Sequence, residues 1–118
     1  MIRFSACIEM LFVPESADPA ERIWLAKQAG LEAVEFWRWS NKDLGAIRAA
    51  LDETGVTLAG ILCEPIVNLT DRATHPQFID GVRASLAAAK KVRAPMLIAQ
   101  SGNLLADVPR ADQHRAIV

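Results

Sequence analysis

Apolar positions in this chain change period repeatedly. Phe4-Ser5-Ala6-Cys7-Ile8 shows rough alternation within an apolar stretch from Ile2 to Ile8, the pattern of a first short strand. Glu9 to Val13 stays apolar, but Pro14 removes a ladder donor, so the segment reads as a greasy loop. Asp18-Pro19-Ala20-Glu21 predicts a helix start: Asp18 caps, Pro19 takes the first turn, and Glu21 is placed to complete a capping box. Ile23, Trp24, Ala26 and Lys27 continue that helix, and Gly30 ends it.

The cycle then repeats. Leu31 to Trp37 is an apolar run interrupted by one carboxylate, Glu35, and predicts the second strand. Ser40-Asn41-Lys42-Asp43 offers caps for a helix with Leu44, Ile47 and Leu51 at helical spacing, stopped by Gly55. Val56 to Cys63 is almost wholly apolar, as a parallel strand buried on both faces requires, and Glu64-Pro65 closes it. A polar loop through Asn68, Thr70, Asp71 and Arg72 follows. His75-Pro76 opens a third helix, expected to bury Phe78, Val82, Leu86 and Ala89. Met96 to Gln100 is the fourth strand, Ser101-Gly102-Asn103 a tight polar turn, and a fourth helix begins near Pro109. That helix carries no closing glycine or cationic cap, and reads as if cut partway along.

Four strands alternating with four helices predict βαβ units and a parallel sheet with right-handed crossovers. Two closures fit: an open, doubly wound four-stranded sheet, or the first half of an eight-stranded barrel, which needs roughly 250 residues. The abrupt last helix favours the half barrel. With 118 residues the chain spans one domain at most.

Composition narrows the function classes. Hydrophobic residues make up 52% and charged residues 23%, ordinary for a soluble globular protein. A net charge of -1 with no Lys/Arg block gives no electrostatic reason to expect nucleic acid. No apolar run is long enough to span a bilayer, and no secretory h-region follows Met1. Cys7 and Cys63 form no CxxC pair, and read as reduced thiols of a cytoplasmic protein.

In α/β folds, ligands meet the carboxyl ends of the strands. The residues placed there are Cys7 and Glu9, then Glu35, Trp37 and Trp39, then Cys63 and Glu64, then Gln100, Gly102 and Asn103. Glu35 is the sharpest, because a carboxylate within an apolar strand must be paired, bind a cation, or meet solvent and ligand. Pairing with Arg38 or Arg3 is the structural alternative. Glu64, before a proline at a strand end, can be simply exposed. Trp37 and Trp39 can wall a pocket for a small polyhydroxylated ligand, or pack under the next helix. Gln100 suits hydroxyl or carbonyl oxygens. No GxGxxG, Walker, GxSxG or zinc-ligand spacing is present, and His75 and His114 sit at helix beginnings. No complete catalytic constellation can be assembled.

Phe4-Ser5-Ala6-Cys7-Ile8-Glu9-Met10-Leu11-Phe12 and Ala29-Gly30-Leu31-Glu32-Ala33-Val34-Glu35-Phe36-Trp37 resemble segments of hydroxypyruvate isomerase-like proteins. Ala94-Pro95-Met96-Leu97-Ile98-Ala99-Gln100-Ser101-Gly102-Asn103 resembles their fourth strand and loop. The wider group is the xylose isomerase-like barrel superfamily of sugar isomerases and epimerases, which also contains apurinic endonucleases. The resemblance covers residues 1–118 as a partial (β/α)8 TIM barrel, the N-terminal half.

It implies isomerisation or epimerisation of a sugar or hydroxy-keto acid through an enediolate, assisted by a divalent metal such as Mg or Mn. The family's acid/base pair and metal ligands lie on later strands, so no catalytic or metal residue is assigned here. The chain alone is expected to be inactive. Glu35, Trp37, Glu64 and Gln100 carry over as the substrate-side wall. Arg93 departs from the glycine expected before the fourth strand, which implies a strained or altered turn there. The contrasting expectation is a small non-catalytic α/β binding module, or a half barrel that pairs with a copy of itself as a homo-oligomer.

Overall fold

The computed structural model describes Ile2 and residues 4–118. Met1 and Arg3 lie outside the described residues, as does the possible Arg3–Glu35 pairing. Four strands, β1 (Ser5–Cys7), β2 (Ala33–Phe36), β3 (Thr57–Leu62) and β4 (Leu97–Ile98), alternate with four helices. These are α1 (Pro19–Gln28), α2 (Leu44–Thr54), α3 (His75–Val92) and α4 (Arg110–Ile117), with a short 3-10 turn at Arg72–Thr74 before α3. No helix among the described residues is long and apolar enough to cross a membrane.

The sheet order is β1-β2-β3-β4, and all three pairings are parallel. That order decides between the two closures. A doubly wound sheet reverses direction at a switch point so that helices cover both faces. Here every crossover advances one strand the same way, so crossovers of one hand put the helices on one face and leave the other open. The core between that helical layer and the sheet contains Ala6, Val34, Phe36, Leu58 and Ile61 from the strands, with Ile23, Ile47, Leu51, Ala88 and Val92 from the helices. Between Val34 and Phe36 the β2–β3 register slips by a residue, which puts both Leu58 and Ile61 on the core side.

The helix stops behave as their residues dictate. Gly30 and Gly55 adopt φ of 78° and 69°. Arg93 occupies the corresponding position after α3 at φ 56°, so the turn before β4 keeps the left-handed geometry without glycine. Asp18 and Asp43 cap α1 and α2 through their carboxylates.

Three expectations are corrected. The strands are shorter than the apolar runs: β1 covers only part of Ile2–Ile8, and β4 is two residues of Met96–Gln100. Edge strands have a partner on one side only. Glu21 does not close a capping box; it accepts a hydrogen bond from Ser16 Oγ instead. The buried face of α3 is Gly81, Ser85, Ala88, Ala89 and Val92, while Leu86 is exposed and Phe78 and Val82 are half-buried. Small residues line that face because the helix lies close to the end of β3. A methyl group on Gly81 would come within 2.4 Å of the Glu64 carbonyl oxygen.

Candidate functional site

Cys7 and Glu35 are register partners on adjacent parallel strands. Their neighbours Ala6 and Val34 point into the helical layer, so alternation directs Cys7 and Glu35 to the open face, at the carboxyl ends of the strands. Glu35 is half-buried; its backbone carbonyl accepts from the Ile8 N–H at 3.0 Å, while its carboxylate makes no hydrogen bond or ion pair with any described residue, Arg38 included. No described residue therefore occupies its carboxylate. Burial pushes the neighbouring Cys7 thiol above its ordinary range; a hydrogen bond with the Glu9 backbone opposes this, and the Glu35 and Glu9 carboxylates add to it.

The loop after β2 is fastened from two sides. On the β1 side, Lys42 Nζ donates to Glu9 Oε1 at 2.5 Å, to the Arg38 carbonyl at 2.7 Å and to Asn41 Oδ1 at 3.1 Å. Those three bonds use all three ammonium protons. The Lys42 side chain is 4% exposed and its ammonium lies 5.5 Å from the Phe36 ring centre. Glu9 Oε1 also accepts from the Trp37 backbone at 3.3 Å. Trp37 is thus held by its main chain while its side chain stays 46% exposed.

On the β3 side, Glu64 follows the strand end and opens a cis peptide to Pro65. Its carboxylate accepts from the backbones of Trp39 at 2.8 Å and Ser40 at 2.9 Å, and from Ser40 Oγ at 3.1 Å. Ser85, fully buried on α3, accepts from Trp39 Nε1 at 3.1 Å and from the Glu64 backbone at 2.9 Å. Trp39 therefore packs against the core and is hydrogen-bonded to α3. A cleft of about 670 Å³ opens outside this junction, lined in part by Trp39, Glu64, Pro65, Asp80 and Gly81.

The rim is completed by two loops laced together. Asn103 donates its backbone N–H to Asn68 Oδ1 at 2.8 Å, Leu69 donates to the Ser101 carbonyl at 2.9 Å, and Thr70 Oγ1 to the Asn103 carbonyl at 3.1 Å. Gly102, at φ 79°, has the Asn68 backbone against it, where a side chain would collide. Gln100, on the approach to this loop, is exposed and makes no hydrogen bond with a described residue.

Of the residues expected to form the substrate wall, Glu35 and Trp37 lie at the carboxyl end of β2, next to Cys7, the register partner of Glu35, and Glu9, which accepts from the Trp37 backbone. Glu64 joins them by holding the loop that carries Trp37. Gln100 lies beyond the end of β4, on the approach to the following loop. Lys42 and Ser85 were not foreseen. The signal for Lys42 was only its place in a capping segment; Ser85 stood at helical spacing from Gly81, hidden by larger apolar neighbours. His75 is used locally, its Nε2 lying 2.9 Å from the Leu69 carbonyl. Among the described residues no group of three or more His, Cys, Asp or Glu side chains is arranged to hold a metal ion.

No protein-family model matches the chain, and no curated protein matches it. Solved structures do. An AP endonuclease, family 2, from Brucella melitensis superposes with a TM-score of 0.85 at 23% identity, over 99% of this chain and 47% of that one. The fold is a partial TIM barrel. Protein SMc04130 from Sinorhizobium meliloti 1021 agrees, with a TM-score of 0.75 at 20% identity over 97% of this chain and 42% of that one. The chain spans less than half the length of either structure. Glu35, Trp37 and Glu64 lie at the carboxyl ends of the strands, the end at which TIM-barrel enzymes in general carry their active sites.

Proposed function

We propose that this chain supplies the substrate-facing wall of a sugar or hydroxy-keto acid isomerase or epimerase of the hydroxypyruvate isomerase-like kind, working through an enediolate. The observation that carries the reading is the Glu35 carboxylate, which no described residue pairs, on the same strand end as an exposed Trp37 whose loop is fixed from both flanks. A preorganised aromatic face with an adjacent acceptor suits a small polyhydroxylated ligand, because little conformational freedom is lost when the ligand arrives. Glu35 accepts from substrate hydroxyls, Trp37 covers a carbon face, and Glu64 acts by holding Trp39 and Ser40 in place. Gln100 belongs to the same wall through the loop after β4.

The proton-transferring pair is not assigned to this chain. The resemblance implies a divalent metal that would polarise the substrate oxygens, but the described side chains do not make up a ligand set for one. No step is routed through it. The name of the Brucella structure raises a nucleic-acid reading for the intact fold. Glu9, Glu35 and Glu64 at this end of the sheet argue against phosphate binding by this part of it.

The test is an assay of the 118-residue chain for hydroxypyruvate and ketose isomerisation, with magnesium or manganese added, alongside calorimetric titration with the same compounds. Binding without turnover is expected, and Glu35→Gln weakens the binding. Clear turnover would overturn the assignment of the acid/base pair elsewhere. Absence of binding to every compound tried, with the chain folded, would remove the substrate-wall reading and favour the non-catalytic module.

A further inference from the structure

The cleft outside the Glu64 junction has no part in the reaction proposed above. Its volume of about 670 Å³ lies within the range of small-molecule sites, and its walls come from the loop after β2, the end of β3 and α3. Trp39, Pro65, Gly81 and Ala84 give it an apolar lining, while Glu64 and Asp80 bring two carboxylates. None of the described residues that line it is cationic. Contact between Gly81 and the Glu64 carbonyl sets Asp80, one residue earlier, on the same rim as Glu64. Glu64 Oε2 accepts from the Trp39 and Ser40 backbones, and Oε1 accepts from Ser40 Oγ. All three donors are neutral, so no described residue offsets the charge of this carboxylate, and Oε1 keeps room for another donor. Asp80 meets only Arg83, in a pair whose side chains are 76% and 73% exposed. Ion pairs so open to water are weak, and a ligand can compete with them.

We infer that this cleft binds a small organic cation, a primary amine carrying an aromatic or alkyl body. The body displaces water from Trp39, Pro65 and Ala84, and the ammonium donates to Glu64 Oε1 and to Asp80. Positive charge is selected because two carboxylates with no cation among the described lining attract it and repel an anion. Trp39 adds to the preference, since an indole face attracts an ammonium group close to it. Its Nε1 is tied to buried Ser85, so the ring is fixed in the wall before a ligand arrives. The cleft belongs to the β2–β3 middle of the sheet, and neither edge strand lines it. It is also separate from the proposed substrate wall at Glu35 and Trp37, neither of which lines it. The inference therefore goes beyond the isomerase reading and stands without it.

Titration of the chain with phenethylammonium, followed through the tryptophan indole N–H signals by heteronuclear NMR, tests it. Phenethyl alcohol, of the same shape but uncharged, is the comparison. The amine is expected to shift the Trp39 signal saturably at millimolar concentration and to leave the Trp24 signal in place. The alcohol is expected to bind about tenfold more weakly, because it lacks the charge-assisted hydrogen bonds. Added salt weakens the amine and leaves the alcohol unaffected. Asp80→Asn and Ala84→Leu, both at exposed positions on α3, each weaken the amine several-fold, the first by removing charge and the second by filling the cleft. Circular dichroism confirms that both variants keep their helices, so folding and binding are read separately. A Trp39 signal that the amine leaves unmoved, an alcohol that binds as tightly as the amine, or binding indifferent to both substitutions would each overturn the site. A response confined to Trp37 would place the amine elsewhere and overturn it too.

Discussion

Lys42 Nζ and Glu9 Oε1 lie 2.5 Å apart, joining the turn after β1 to the loop after β2 through a lysine whose side chain is 4% exposed and a glutamate that is 20% exposed. Removing one partner of so sheltered a pair strands the other charge. Lys42→Met is expected to cost about 3 kcal/mol of stability in urea denaturation, and Glu9→Gln in the same chain to restore much of it. A single substitution without effect would show that water already neutralises Glu9.

Gly81 and Ser85 make a second prediction. Gly81→Ala forces a methyl group to within 2.4 Å of the Glu64 carbonyl and 2.6 Å of the Pro65 ring, an overpacking expected to cost about 2 kcal/mol. Ser85→Ala leaves the Trp39 indole and the Glu64 N–H without their acceptor, for a similar loss of about 2 kcal/mol. Faster exchange of the Trp39 and Ser40 amide protons, which donate to Glu64, should accompany both. Unchanged exchange would mean that Glu64 holds the loop without help from α3.

Cys7 reports on Glu35. Its thiol is raised by burial, with Glu35 and Glu9 adding to the rise. Iodoacetamide labelling of Cys7, followed by mass spectrometry to separate it from Cys63, should reach half its maximal rate at a higher pH than free cysteine. Glu35→Gln should move that midpoint down. The sign for stability follows from protons bound: a thiol raised in the folded state favours folding below the unfolded pKa, and the contribution is lost as pH rises through the folded value. A midpoint unmoved by Glu35→Gln would place the carboxylate away from the thiol.

Most of the fold was legible because helix stops and apolar runs are local. Gly30, Gly55, Asp18, Asp43 and the run from Val56 to Cys63 each announce their role within a few residues. The α3 face was not legible, because its partner is the backbone of Glu64 and Pro65, and a search for large apolar residues passes over Gly81 and Ser85. The candidate site was legible in part. Placing Glu35 and Trp37 at strand ends required only the βα alternation. That Glu64 would be engaged by Trp39 and Ser40, and that Lys42 would be buried on Glu9, depends on contacts 24 to 33 residues apart in sequence. No local pattern encodes those.

The central claim is that Trp37, fixed on its main chain and open on its side chain, receives a small hydroxylated ligand beside Glu35. The three tryptophan indole N–H signals give the most direct reading, followed by heteronuclear NMR during titration with hydroxypyruvate or a ketose. The Trp37 signal should shift saturably, the Trp24 signal on α1 should stay in place, and Glu35→Gln should weaken the response. A titration that leaves Trp37 unmoved, or that shifts Trp24 alone, would contradict the assignment of this mouth as the ligand wall.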